Sequence, residues 1–444
     1  MCNSVNFKGR TVAVWGAARS GIAAANLLVE LGAKVILSDN RHMDSLNLGQ
    51  LDARVSLECG GNSLAGADVL VPSPGIKPST PALKQALSRG VTLCSEIELA
   101  AGVAKAPIVA ITGTDGKSTT TAMIGSMIDG TGRRAIVAGN IGTPFCERVL
   151  AGAGDDVFVI EVSAFQLWSC STFVPQIAVV TNIAEDHAEY FEHDKAAYIA
   201  AKERILRDMV PDSYAILRGD DPYVGQFKTN VGVHRILFGP EEMSAGWGFD
   251  GHALLQDGKP VMDANRLSVP GQHNINNALA ALAVGDALEL DREAAIDGLM
   301  SFEGLPHRLQ LVCQKRGVYW YNDSKATNPH AAGVGLKAIE RDQIVITGGY
   351  EKNLDLTPFL DALGRAKHVY TVGPTSERLA AALDGRLPID TCVSLNEAVH
   401  HAASIAQPND AVILSPAASS FDAYKSYAHR GDCFNELVLA LPST

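Results

Sequence analysis

Three α/β domains in series are the fold class that this sequence predicts, and three observations predict it. Apolar strand-like runs alternate with helix-like stretches, and the alternation restarts near Lys105 and again near Val318. A glycine turn follows the first strand of the first block, and a glycine–lysine–hydroxyl turn follows the first strand of the second. The 444 residues are enough for about three domains of ~150 residues each.

The first block reads as βαβ units on a parallel sheet. Residues 11–15 (TVAVW) form a strand, 21–31 a helix ending at Gly32, and 34–38 a second strand closed by Asp39. A further strand at 69–71 runs into Pro72-Ser73-Pro74-Gly75. In the second block, 107–111 is a buried strand and 120–124 opens a helix. Strands follow at 157–160 and 177–180, a helix passes through 277–282, and 304–307 is a linker. The third block has strand runs at 318–321, 343–349, 368–372 and 411–415.

Between the strand at 107–111 and its helix stands Gly113-Thr114-Asp115-Gly116-Lys117-Ser118-Thr119. Backbone N–H groups and a helix dipole would face an anion there. Lys117 adds charge, and Ser118 or Thr119 reaches a magnesium ion. The turn is thus expected to handle a nucleoside triphosphate. The general P-loop pattern does not match strictly, because Ile111 stands where it wants its first glycine.

Other polar strand ends leave alternatives open. Gly16-Ala17-Ala18-Arg19-Ser20-Gly21, with Asp39 at the end of the second strand, suits a dinucleotide, another nucleotide diphosphate, or a plain tight turn. Glu161, ending a strand near the phosphate loop, is placed to hold magnesium or to serve as a helix N-terminal carboxylate. His187 is a ligand, a substrate hydrogen-bonder or merely a polar strand end. Spacing alone makes Lys202 a solvated helix lysine. Asn322-Asp323-Ser324-Lys325-Ala326-Thr327-Asn328 reads as a βα active-site loop, or as a helix N-cap at Asp323 or Ser324. Lys352 and Ser419-Ser420 complete the polar strand ends of the third block.

Bulk properties exclude several classes. With 37 basic and 49 acidic residues, net charge −12, the chain is not a general nucleic-acid binder. No stretch is apolar for the ~18 residues of a membrane span, and the N-terminus lacks a signal-peptide pattern. The eight cysteines include no C-x-x-C pair and no zinc spacing. They read as scattered small hydrophobes in a reducing compartment. A cytoplasmic protein is expected.

Taken together, the motifs resemble those of the Mur ligases. The matching strings run in order: the phosphate loop, Gly139-Asn140-Ile141-Gly142, Glu161 to Leu167, Glu185-Asp186-His187, Gly271 to Asn277, Gly304 to Arg308, Asn322 to Asn328, and Ser415 to Ser420. The stretches 163–167 and 322–328 look most like the glutamate-adding branch. The resemblance implies a Rossmann-like UDP-binding domain (1–104), a central P-loop ATPase-like domain (105–306) and a Rossmann-like glutamate-binding domain (307–444). It implies an ATP-dependent ligase joining D-glutamate to UDP-N-acetylmuramoyl-L-alanine through an acyl phosphate, with magnesium, as a monomer.

Residue roles follow from the same resemblance. Ala17, Ala18, Arg19, Ser20, Asp39, Asn40, Arg41, Ser73, Asn140, Ser163, Gln166 and His187 would bind the UDP substrate. Gly113 to Thr119, Asn274, Asn277, Arg308 and Asp323 would bind ATP. Ser118, Thr119, Glu161, His187 and a carbamylated Lys202 would hold magnesium, which reverses the bland reading of that lysine. Lys325, Thr327, Lys352, Ser420, Phe421 and Tyr427 would hold glutamate. Lys117, Lys202, His187 and Glu161 form the catalytic set. Two departures stand out. Asp115 replaces the usual asparagine of the loop, and Tyr190 stands where the family's Asp-His-x-Asp-Arg-Tyr motif has arginine. Alternatives are L-glutamate or another amino acid, a folate-type ligase, an NAD-linked oxidoreductase, and a non-catalytic ATP-binding regulator.

Overall fold

The computed structural model describes residues 6–152, 156–184, 190–192, 194–241 and 243–442. The chain divides into two compact units, Met1–Leu267 with His273–Phe302, and Ser268–Gln272 with Glu303–Thr444.

The first unit holds two sheets. One is parallel, with strands β1 (Thr11–Trp15), β2 (Lys34–Asp39), β3 (Ser56–Cys59), β4 (Val69–Pro72) and β5 (Thr92–Leu93) in the order β3-β2-β1-β4-β5. Its helices are α1 (Arg19–Glu30), α2 (Pro81–Ser88) and α3 (Glu96–Ala101). The other sheet begins with β6 (Ile108–Thr112), β7 (Ala135–Gly139), β8 (Val157–Glu161), β9 (Ile177–Val180), β10 (Tyr214–Arg218) and β11 (His234–Phe238), all parallel. It ends in β12 (Trp247–Phe249), β13 (Ala253–Gln256) and β14 (Lys259–Asp263). β12 runs parallel to β11, and then the meander turns antiparallel. That extension is absent from the sequence reading. Helices α4 (Lys117–Gly130), α5 (Phe145–Leu150), α6 (Ala164–Trp168), α7 (Lys195–Arg207), α8 (Gln272–Ala287) and α9 (Arg292–Met300) accompany this sheet.

Strands β6, β8 and β9 are buried at every residue, as parallel strands covered on both faces must be. One apolar cluster runs through both sheets' surroundings, from Val12 and Leu28 through Ile97 and Leu99 to Phe145, Phe158 and Ile205. Polar contacts reinforce it. The Cys146 N–H donates to Glu96 Oε1 at 2.6 Å, and the Ser171 and Thr172 N–H groups donate to Glu98 at 2.9 and 2.7 Å.

Burial pushes the Glu96 carboxyl from its ordinary 4.5 up to about 7. Its Oε2 has no hydrogen-bond partner among the described residues. A carboxyl raised in this way keeps its proton in the fold while the unfolded chain releases its own. Glu96 therefore costs stability progressively as pH climbs from about 4.5 to about 7. Glu96→Gln is expected to remove that dependence, so its unfolding midpoint should gain on the wild type across this window. A constant difference between the two would sink the assignment.

The second unit holds β15 (Gln310–Lys315), β16 (Val318–Asn322), β17 (Gln343–Thr347), β18 (Ala366–Val372), β19 (Ile389–Cys392) and β20 (Ala411–Leu414), in the order β15-β16-β20-β17-β18-β19. Only the edge strand β15 is antiparallel to its neighbour. Helices α10 (Pro329–Lys337), α11 (Thr357–Leu360), α12 (Ser376–Leu383), α13 (Leu395–Ile405) and α14 (Tyr427–Ala440) complete it. An apolar cluster lies on each face of the sheet, one around Phe359 and Leu336, the other around Trp320 and Phe434.

Several local expectations are corrected. The helix after the phosphate loop starts at Lys117, not at 120. The helix after the polar loop is capped by Asn328, whose side chain accepts from the Ala331 N–H, and not by Asp323 or Ser324. Cys94 is disulfide-bonded, so the cysteines are not uniformly free thiols. No helix among the described residues is long and apolar enough to cross a membrane.

Candidate functional site

The phosphate loop leaves β6 through Gly113 (φ +148°) and enters α4 through Gly116 (φ +78°). Both glycines are obligatory. A Cβ at Gly113 would lie 1.9 Å from Thr181 Oγ1, and one at Gly116 2.6 Å from Asn277 Oδ1. Between them the backbone is held from below. The Asp115 N–H donates to Asn182 Oδ1 at 2.9 Å, and Thr181 Oγ1 donates to the Asp115 carbonyl at 2.6 Å. The Asp115 side chain stays exposed. Lys117 folds back, its Nζ donating to the Thr114 carbonyl at 2.7 Å. The open amides of the first turn of α4 face the loop.

Asn277 on α8 reaches the loop at Gly116 and Thr120, and Asn274 bonds to Asn277. Thr120 Oγ1 donates to Asn277 Oδ1 at 3.0 Å, and Asn277 Nδ2 donates to Asn274 Oδ1 at 3.2 Å. Glu161 lies in register with Ile111, on the strand next to β6. Its Oε1 accepts from Asn140 Nδ2 at 2.8 Å. Its Oε2 is buried without a hydrogen-bond partner among the described residues. A carboxylate oxygen stranded in this way is costly unless a cation meets it. Ser118 and Thr119, both buried, lie in the first turn of α4, which follows the adjacent strand β6. This donor set of hard oxygens fits magnesium. Ser163, not Glu161, caps α6. Ser163 and Gln166 form a capping box with each other, so the helix-carboxylate alternative for Glu161 is excluded.

Lys202 overturns the solvated-lysine reading. It is 2% exposed, and its Nζ donates to the Gly113 carbonyl and sits 4.7 Å above the Tyr198 ring. The cause is helical phase. Tyr198, Ala201, Lys202, Ile205 and Leu206 form the buried face of α7. Tyr198 in turn reaches Thr114, with Oη and Oγ1 3.0 Å apart. His187, with Glu185 and Asp186, lies outside the described residues.

The turn after β1 begins at Gly16 (φ +100°), where a Cβ would lie 2.7 Å from Ser73 Cβ. The Ala17 N–H donates to Asp39 Oδ2 at 2.8 Å, and Arg41 donates to the same carboxylate through its N–H, Nε and a terminal nitrogen, each at 2.9 Å. These bonds, the Arg41 side chain first, hold the Asp39 carboxyl well below the usual range. Ala18 starts α1 without a side-chain cap, leaving its first amides for an anion. A cleft of about 660 Å³ opens here, lined by Ala17, Ala18, Arg19, Arg41, Asn47 and Gln50 among others. Asn40 is exposed.

In the second unit, Asp323 is buried. Its carboxylate accepts from the Leu309 N–H at 3.0 Å and from Ser415 Oγ at 3.2 Å. Burial raises its carboxyl to about 7. Arg308 Nε is buried without a partner among the described residues. Lys325 Nζ stands 5.8 Å from the Tyr427 ring centre. The turn carrying Lys352 is held by the Tyr350 N–H, which donates to the Ser419 carbonyl at 2.9 Å, and by an ion pair of Glu351 with Arg378 at 3.1 Å. Ser420 is buried and Phe421 is 71% exposed. Thr327 sits just ahead of the Asn328 cap.

Comparison with known proteins bears on this geometry. Residues 10–95 match the family "Mur ligase MurD-like, N-terminal domain", 111–285 match "Mur ligase middle domain", and 307–418 match "Mur ligase, glutamate ligase domain". A Salinibacter ruber protein named UDP-N-acetylmuramoylalanine--D-glutamate ligase is 38% identical, over 96% of this chain and 97% of its own. The chain belongs to the Mur ligase family. A second member, a ligase of the same name from Shouchella clausii, is 36% identical over 97% of each chain. Among solved Mur ligases, the UDP-N-acetylmuramate-alanine ligase of Thermotoga maritima shares the fold, with a TM-score of 0.62 and 18% identity over 97% of this chain and 99% of its own. MurF from Acinetobacter baumannii shares it at 0.61 and 18% identity, over 98% and 92%.

Two side chains in this Mur ligase escaped sequence reasoning. Arg430, 2% exposed, donates to Ser324 Oγ and carbonyl and to the Ala418 and Ser419 carbonyls. It thus ties together two loops that carry expected glutamate residues. Tyr198 joins the Lys202 helix to Thr114. Neither stands in a motif, and only its helical phase, once the buried face is known, marks Tyr198.

Proposed function

We propose that this protein joins D-glutamate to UDP-N-acetylmuramoyl-L-alanine at the expense of ATP, in peptidoglycan precursor synthesis. The observation that carries the reading is near full-length similarity to ligases of that name, and the built phosphate loop supports it. The proposal keeps the three-domain division 1–104, 105–306 and 307–444, a monomer, and a cytoplasmic location.

Chemistry sets the order of events. A carboxylate is a poor electrophile. Its oxygen first takes the γ-phosphoryl group of ATP, releasing ADP. The glutamate nitrogen then attacks the carbonyl carbon of the acyl phosphate. A C–N bond forms, the C–O bond to phosphate breaks, and phosphate leaves. In this reading Lys117 and the loop amides orient the triphosphate in line. Asn274, Asn277, Arg308 and Asp323 are the further residues assigned to ATP. Glu161, Ser118 or Thr119, His187 and a carbamate on Lys202 would hold magnesium, which when bound neutralises phosphate charge. His187 is the proposed acceptor of the amine proton. The turn 17–20 with Asp39, Asn40, Arg41 and Ser73 takes the UDP end, aided by Asn140, Ser163 and Gln166. Lys325, Thr327, Lys352, Ser420, Phe421 and Tyr427 hold glutamate.

The test is phosphate release with ATP, magnesium and UDP-N-acetylmuramoyl-L-alanine, run with D-glutamate, with L-glutamate and with neither. Release only with D-glutamate is expected. Release with L-glutamate alone would rewrite the substrate. No release from folded, ATP-bound protein would overturn the ligase reading.

A further inference from the structure

Tyr190 occupies the position where the family's motif has arginine. Its ring is buried, and its Oη donates to the Ile76 carbonyl at 2.7 Å. Ile76 closes a turn whose N–H donates to the Ser73 carbonyl at 3.0 Å. Ser73 is itself fixed to the first glycine turn, its N–H donating to the Trp15 carbonyl at 2.7 Å and its Cβ crowding Gly16. The hydroxyl of Tyr190 therefore grips the part of the first sheet's edge where the UDP substrate is proposed to bind.

The ring of Tyr190 packs into a cluster of tilted and edge-to-face aromatic rings. It lies 4.0 Å from Phe165 and 5.0 Å from Phe191, and Phe191 lies 5.7 Å from Tyr198. Tyr198 ends the series at Thr114 of the phosphate loop. Trp168 packs against both this aromatic cluster and the one that includes Ile76, so the two apolar regions are continuous. A tyrosine here has one donor at its tip and ring-on-ring contact along its body, where arginine would bring several donors and a charge.

We propose that Tyr190 fastens the Ser73 turn to the phosphate loop through this aromatic cluster, so that occupancy of the UDP-substrate site strengthens ATP binding. The inference rests on the proposed placement of the UDP substrate at that turn. Tyr190 is a positioning residue that touches neither ligand. A ligand that orders the turn orders the Ile76 carbonyl, and through the rings the backbone around Thr114. By linkage the effect is reciprocal, with ATP tightening the UDP substrate by the same factor.

Calorimetric titration of the full chain with a non-hydrolysable ATP analogue and magnesium, with and without UDP-N-acetylmuramoyl-L-alanine, tests this. The wild type is expected to bind the analogue several-fold tighter when the UDP substrate is present. Tyr190→Phe, which deletes only the hydrogen bond, should bring that factor close to one. It should also raise the KM for the UDP substrate about five-fold, the equivalent of one hydrogen bond, with kcat within about two-fold of the wild type. Phe165→Leu, which removes the ring beneath Tyr190 and spares its hydroxyl, should lose the coupling as well, and it carries the test if Tyr190→Phe does not fold. No coupling in the wild type, or undiminished coupling in the folded variants, would overturn the proposal. Ser73→Ala separates the two readings. If it leaves UDP-substrate affinity unchanged, the placement of the substrate fails, whatever Tyr190 does.

Discussion

Lys202→Ala is expected to lower ligation by about 10³-fold or more, the scale of losing a charge-stabilising group in a buried site, while short-chain carboxylic acids restore part of it. Lys202 ends against the Gly113 carbonyl, beneath the first residue of the phosphate loop. A buried ammonium there would repel a metal ion. A carbamate, formed when the neutral amine nitrogen adds to carbon dioxide and loses a proton, presents anionic oxygens instead. Alanine leaves a space of that size, and a small carboxylate can enter it from solution. Phosphate release with and without added acetate or formate measures the effect. Full activity of the alanine variant would end the carbamate role. Loss without rescue, at unchanged melting temperature, would leave the lysine important as an amine only.

Glu161→Gln is expected to raise the magnesium concentration needed for half-maximal rate by about 10–100-fold and to lower the saturated rate about 100-fold. Glutamine keeps an acceptor for Asn140 Nδ2, so the local fold survives and the change falls on the stranded oxygen. A magnesium titration of phosphate release decides it, and an unchanged midpoint would remove Glu161 from the metal site. Asp115 gives a useful contrast. Its backbone is pinned while its side chain is exposed, and nothing in the structure explains why a carboxylate stands there.

Much of this was legible in the sequence, for physical reasons. Strands such as β6 and β9 are continuous apolar runs because parallel strands are covered on both faces, and such runs stand out. The phosphate loop was legible because its two glycines answer steric demands of neighbouring side chains. Lys202 was misread from spacing because a lysine carries no mark of the face its helix buries. The β12–β14 meander went unseen because its strands are three to five residues long and mix glycine, proline and charge. The Asn328 cap was missed because Asp323 and Ser324 offer equally good capping chemistry a few residues earlier. They are engaged instead with Leu309, Ser415, Tyr427 and Arg430, partners far away in the chain.

The two glutamates of α3 bear on how such proteins can be recombined. Glu96 and Glu98 lie within residues 1–104, the proposed first domain, yet they accept backbone N–H groups from residues 146, 171 and 172. A chimera joined at position 104 with an unrelated amino-terminal module would leave three N–H donors without their acceptors, at about 1–3 kcal/mol for the buried one at Cys146. The transferable block is the nucleotide-handling module together with the six residues of α3. A crossover placed just before Glu96 would keep those bonds within one parent, whereas one placed at the apparent domain border would cut them.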